Sequence, residues 1–81
     1  MINQMQQDEL ATLINKALSK VENRLDLQDI LDVREYVEHG EYGVGWELLW
    51  HLIKKHKLEV PKEVIVSGQK MSLNMIRRNN N

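Results

Sequence analysis

The sequence predicts an all-α fold, a small bundle of three to four helices in a single domain. Apolar residues recur every three or four positions through most of its 81 residues, which is the period of a helix. The run Val64 to Val66 could form a strand, but nothing else in the chain would pair with it. We expect the helical domain to span residues 1–76 and residues 77–81 to form a flexible C-terminal tail.

The first helix is predicted by a continuous apolar stripe with basic residues on its opposite side. The stripe steps by three and four over about four turns, as one buried face of a helix requires. Its members are Leu10, Leu13, Ile14, Ala17, Leu18, Val21 and Leu25, and the basic side carries Lys16, Lys20 and Arg24.

The second helix has a start signal and a stop signal. Asp26 is a good N-cap residue, and Leu25 and Ile30 are placed to form a hydrophobic staple around it. Gly40 is expected to end the helix as a left-handed C-cap. The residues within an apolar arc of about 120° should face the core; they are Leu27, Ile30, Val33 and Val37.

The third helix, from about Glu41 to His56, is apolar around most of its circumference, which predicts the central element. Gly43 and Gly45 lie in its first turns, where each costs up to about 1 kcal/mol relative to alanine. We therefore expect another backbone to approach closely there. A basic cluster, residues 54–57, suits the negative end of the helix dipole.

A short fourth helix is predicted after the single proline. Pro61 suits a first helical position, and the helix would continue through Val64 and Ile65, with Met71 as its furthest apolar position. Beyond it the sequence lacks helical periodicity, and Arg77 and Arg78 belong to the expected tail.

The composition indicates a reducing cellular compartment and excludes several kinds of site. The chain has no cysteine, so it holds neither a disulfide nor a thiolate-bound zinc, and it suits a reducing compartment. Residues 1–9 are polar and acidic, unlike a secretory signal, and no apolar run approaches membrane-spanning length. We expect a cytoplasmic protein that does not associate with membranes.

Acidic residues take up the polar side of the second helix at every third position: Asp29, Asp32, Glu35 and Glu38. We call these four residues the acidic ladder. Residues 1–41 hold nine acids and four bases, a charge of −5, while residues 42–81 hold three acids and seven bases, a charge of +4. The ladder is either an ordinary solvated face or a docking surface for a positively charged partner.

Catalysis is not expected from this sequence. His39, Glu47, His51 and His56 are the most enzyme-like group, and Glu47 and His51 share a helix face four residues apart. A second pair of ligands is missing, and no phosphate loop or nucleophile motif accompanies them. We therefore expect no enzyme activity, no catalytic residue, no metal, no cofactor and no small-molecule substrate.

Direct nucleic-acid binding is not expected either. Helices two and three could form a helix-turn-helix, but the reading helix is apolar and the acidic ladder would repel phosphate.

The aromatic residues leave two interpretations open. Trp46 and Trp50 are four apart with Tyr42 one turn earlier, a pattern that suits either a core or an interface. Tyr36 lies beside the acidic ladder, where it could act as an aromatic anchor ringed by carboxylates.

The segment from Leu31 to Leu49, LDVREYVEHGEYGVGWELL, resembles the middle of the MafI-type immunity proteins, small helical partners of polymorphic and contact-dependent growth inhibition toxins. In that family an acidic helix ends in a Glu-His-Gly-Glu-Tyr-Gly corner, here residues 38–43, followed by a small residue and a glutamate, here Gly45 and Glu47. The likeness covers roughly residues 8–62 and includes Pro61. This chain departs from the family in having Gly45 where alanine is common, two added tryptophans, and a shorter, basic C-terminal region.

The resemblance implies a bacterial antitoxin whose partner is a cognate toxin domain. Such toxins are often nucleases, some similar to EndoU RNases, and their basic clefts hold a phosphate backbone. We expect an RNase inhibitor whose acidic helix face covers that cleft, with a toxin-binding set of Asp29, Asp32, Glu35, Tyr36, Glu38, Glu41 and Tyr42. The alternative is a small helical regulatory or adaptor protein that binds another basic protein.

Overall fold

A computed structural model describes the backbone of residues 4–79 and the side chains of residues 9–71, and it confirms the all-α prediction. The described residues form four α-helices and one turn of 3₁₀ helix, Glu22–Arg24, joined by short connections. They contain no strand. The helices are α1 (Gln4–Val21), α2 (Leu27–Glu38), α3 (Tyr42–Lys55) and α4 (Lys62–Asn79).

Two helices occupy the middle of the bundle. The helices α1 and α3 each contact the other three, whereas α2 packs mainly on α3 and α4 mainly on α1. The prediction of a central third helix therefore holds, with α1 sharing that position. All four helices contribute to one core, whose most buried side chains are Ile14, Leu18, Val33, Leu49, Ile53 and Val64.

The corner between α2 and α3 has the predicted glycine C-cap. Gly40 has a φ of +77°, its N–H donates to the Val37 carbonyl at 3.0 Å, and the Glu41 N–H donates to the Tyr36 carbonyl at 2.8 Å. These two bonds form a Schellman motif, which satisfies carbonyls that the helix end would otherwise leave open. The start of α2 is less complete, because Asp26 has the extended backbone of an N-cap but its side chain makes no capping hydrogen bond.

The end of α3 repeats this geometry without a glycine. Lys57 has a φ of +55°, its N–H donates to the Lys54 carbonyl at 3.2 Å, and the Leu58 N–H donates to the Ile53 carbonyl at 2.9 Å. A side chain with a Cβ is strained in this left-handed region, so Lys57 pays a cost that Gly40 avoids.

Two sequence-based expectations about packing are wrong. Leu27 is 69% exposed rather than part of the core, because it lies at the edge of the apolar arc and at the first residue of α2, where no neighbouring helix covers it. Gly43 has open space where a Cβ would be, so nothing in the described chain approaches it. Gly45 does meet another helix, with Tyr36 Cβ 3.2 Å and the Val33 carbonyl oxygen 3.5 Å from its would-be Cβ.

The fourth helix is not short. It begins at Lys62, one residue after Pro61, and its backbone continues to Asn79. The flexible tail stays a prediction: residues 77–79 are placed in α4, and residues 80 and 81 lie outside the described part of the chain. None of the described helices combines the length and the apolar character that crossing a membrane requires.

Candidate functional site

The acidic ladder lies on the solvent side of α2, opposite the buried Ile30, Val33 and Val37. Asp29 and Asp32 are partly buried and Glu35 and Glu38 are exposed. At 100° per residue the four carboxylates turn through about 180° of the helix surface rather than facing one way. Asp32 and Glu35 occupy the middle of this arc, so they are the pair that a partner approaching α2 head-on would meet.

No carboxylate of the ladder forms an ion pair within the described residues. Arg34 is the one basic residue of α2, and its guanidinium is turned to Glu22, with Nη2 2.9 Å from Oε2. Asp32 accepts a hydrogen bond from the Gln28 amide at 2.9 Å, which leaves its charge in place. Like charges three positions apart on a helix repel by a few tenths of a kcal/mol. Within the described residues, no ion pair offsets this repulsion on the negative face of α2.

Other acidic residues are neutralised by the fold. Glu9 lies 3.0 Å from the ammonium of Lys70, and both oxygens of Glu63 accept from the ammonium of Lys20 at 2.8 and 2.9 Å. Hydrogen bonding from Lys20, followed by that of its own backbone N–H, holds the pKa of Glu63 below its ordinary value. This pair fastens the first turn of α4 to α1, so its role is structural.

The glycine corner extends the negative face beyond the helix. Glu38 is the last residue of α2 and Glu41 is the N-cap residue of α3, and both are exposed. The Schellman bonds of Gly40 fix the short segment between them. Tyr42 is partly buried against the core, so its ring contributes to packing as well as to the corner.

Tyr36 is half-buried, and its Cβ lies close to Gly45 of α3. The would-be Cβ of Gly45 lies 3.2 Å from Tyr36 Cβ, which shows how closely the two helices approach. Tyr36 follows Asp32 by four positions and Asp29 by seven, so these three residues share one side of α2. The structure therefore places Tyr36 with the first half of the ladder and apart from Glu38.

The two tryptophans form one stack with an inner and an outer member. Trp46 donates from Nε1 to the Val64 carbonyl at 2.8 Å, and Gly68 provides the space for its ring, because a Cβ there would lie 2.5 Å from Cζ2. Trp50 stacks on Trp46 with ring centroids 5.6 Å apart, and the Lys54 ammonium lies 5.5 Å from its ring centroid. Trp46 thus joins α3 to α4, and Trp50 stacks on it from within α3.

The histidine group does not come together. His39, His51 and His56 are exposed at separate positions, as is Glu47. Within the described residues, no three side chains of the metal-binding types are placed to hold one ion. That the chain is not an enzyme stays a prediction.

A groove that the sequence did not indicate lies where the 3₁₀ turn meets the segment before α4. It is lined by Lys20, Arg24, Lys62 and residues 58–61. Lys20 is already engaged by Glu63, and no buried side-chain polar atom of the described residues lacks a hydrogen-bond partner. Arg24 and Lys62 add two exposed cations to its lining.

Comparison of the chain with models of protein families, with curated proteins and with solved structures finds no match. The resemblance to MafI-type immunity proteins therefore stays a prediction from the sequence.

Proposed function

We propose that this chain is an immunity protein that binds a cognate bacterial toxin in the cytoplasm and neutralises it. The toxin is a nuclease, with an EndoU-like RNase favoured. The acidic helix face covers the toxin's basic cleft and so keeps RNA out of it. The class of protein is inferred from the likeness of residues 31–49 to MafI-type proteins. The mechanism is inferred from the negative charge of α2.

The observation that carries the proposal is the unneutralised ladder. Four carboxylates lie on the solvent side of α2, none is paired within the described residues, and Arg34 is held away by Glu22. Cβ atoms three positions apart on a helix are about 5–6 Å from each other, so successive carboxylates of the ladder are closely spaced as it winds around α2. A cleft built to hold a row of phosphates attracts such a surface and binds it in a defined register.

The proposed contact set is the acidic ladder together with Tyr36, Glu41 and Tyr42, and these seven residues differ in exposure. Glu35, Glu38 and Glu41 are exposed and meet the partner first, whereas Asp29 and Asp32 are partly buried. Tyr36 and Tyr42 are also partly buried, so each offers one edge of its ring. Complementary charge of this kind acts strongly on the association rate and on orientation.

Charge reversal with a matched control tests the surface. Glu35→Lys should weaken binding to the toxin domain at least tenfold, since close interfacial charge pairs contribute about 1.5 kcal/mol or more. Glu59→Lys makes the same change at another exposed glutamate, outside α2, and should bind like the wild type. Both should melt near the wild-type temperature, because neither glutamate makes an ion pair in the described structure. Equal affinities of the two variants would exclude the ladder as the docking surface.

The partner to use is the protein domain encoded directly upstream of this chain, produced together with it and purified as a complex. Co-purification supports immunity. An upstream frame with no toxin domain, together with capture of a different basic protein, would instead favour the adaptor function.

A further inference from the structure

Two leucines of α2 are left uncovered by the fold. Leu27 is 69% exposed and Leu31 is 47% exposed, and they lie four residues apart on one side of the helix. Single exposed apolar side chains are normal on protein surfaces, but these two are neighbours on the same element as the acidic ladder. Neither contributes to the core, so neither is explained by folding.

The leucine side of α2 continues into the acidic ladder. At 100° per residue, Leu27, Leu31, Glu35 and Glu38 fall within about 80° of one another, with the leucines in the first half of the helix and the glutamates in the second. Arg34 borders this strip, but its guanidinium is paired with Glu22. The result is an apolar pair followed by two exposed carboxylates along one face, neither of them in an ion pair with a side chain of residues 9–71.

We infer that this strip, Leu27, Leu31, Glu35 and Glu38, docks as one unit, with the leucines entering an apolar hollow and the glutamates meeting basic side chains beside it. The inference rests on the proposed function and specifies the partner's surface: a basic protein surface with an apolar recess next to its cations. Specific interfaces combine a buried apolar centre with polar groups around it, which a row of carboxylates alone lacks.

Packing α2 of a second copy against the strip is unfavourable. Parallel packing of two α2 helices would set glutamates against glutamates, and antiparallel packing would place carboxylates over leucines; both arrangements are unfavourable. An anionic membrane surface would repel the same glutamates. A basic protein partner is the occupant that satisfies both halves of the strip.

The test replaces the exposed leucines and measures affinity for the domain encoded directly upstream. Leu27→Ser/Leu31→Ser should weaken binding at least tenfold, mainly through faster dissociation, and the loss should persist at high salt. Ile65→Ser is the control, because Ile65 is 50% exposed on α4, a different helix; it should bind like the wild type. Circular dichroism should show that all three proteins are folded.

The outcomes separate this inference from the proposed function. If Glu35→Lys weakens binding while the leucine variant binds like the wild type, the ladder is the docking surface and the leucine inference is wrong. If the wild type fails to bind the upstream domain, both are wrong. If sedimentation shows a dimer that Leu27→Ser/Leu31→Ser dissociates, the strip is a self-association surface and the inference is also overturned.

Discussion

Alanine substitution at the three helical glycines tests the packing of the bundle, because the same change meets different surroundings at each. Gly43 has nothing within 4 Å of its would-be Cβ. At Gly45 the nearest atom is Tyr36 Cβ at 3.2 Å, and at Gly68 it is the Trp46 ring, with Cζ2 at 2.5 Å and Cε2 at 2.9 Å. The change removes a helix-propensity penalty in all three cases, smaller in the first turn of α3 than in the interior of α4, so the remaining differences in stability report the contacts.

The magnitudes follow from two opposing effects. Replacing a helical glycine with alanine contributes up to about 1 kcal/mol of stability, and Gly43→Ala should retain that gain. Gly45→Ala should be close to neutral, because Tyr36 must yield by a few tenths of an ångström. Gly68→Ala forces the Trp46 ring to move, and overpacking of this kind costs about 1–3 kcal/mol, which exceeds the gain.

Thermal unfolding followed by circular dichroism measures these differences. For a domain of this size about 1 kcal/mol corresponds to a shift of roughly 4–8 °C in Tm. The expected order of Tm is Gly43→Ala first, Gly45→Ala near the wild type, and Gly68→Ala last. A Gly68→Ala variant as stable as the wild type would refute the packing described between α3 and α4, and a destabilised Gly43→Ala variant would refute the open space described at Gly43.

Two further predictions concern helix ends and pH. Lys57→Gly should raise Tm, because it relieves about 1–2 kcal/mol of left-handed strain, more than the roughly 0.5–1 kcal/mol that glycine's extra backbone freedom costs. Gly40→Ala should lower Tm for the same reason; a fall for Lys57→Gly would contradict this. The pKa of Glu63 is lowered by Lys20, so its stabilisation is complete above the ordinary value of 4.5 and is lost as pH falls through the lowered pKa. Urea midpoints measured against pH should show that Glu63→Gln removes part of this acid destabilisation; an unchanged pH profile would count against the pair.

Much of the fold could be predicted because it depends on local periodicity. The apolar stripe around Ile14 and Leu18 marks α1, and Gly40 marks the end of α2 by its freedom to adopt a positive φ. The exposure of Leu27 could not be predicted, since it depends on where neighbouring helices stop. The same holds for Lys57, whose strained conformation is set by the chain that follows α3.

The candidate site was predictable in part. Spacing alone places Asp32 and Glu35 on the solvent side of α2. Whether ion pairs neutralise them depends on tertiary contacts. The pairing of Arg34 with Glu22, 12 positions away, cannot be predicted from the local sequence. The sequence did not indicate that Leu31 is exposed. An apolar residue among acidic ones can be either buried or exposed, and the packing of the helix decides which.

The most direct test of the proposed mechanism is competition with RNA. The affinity of this chain for the domain encoded directly upstream is measured with and without a non-cleavable RNA, for the wild type and for Glu35→Lys. The mechanism predicts that RNA weakens wild-type binding in proportion to its concentration, because both occupy one basic cleft. It also predicts that Glu35→Lys is displaced by less RNA than the wild type. Wild-type binding that RNA leaves unchanged would show that the acidic ladder does not cover the active site.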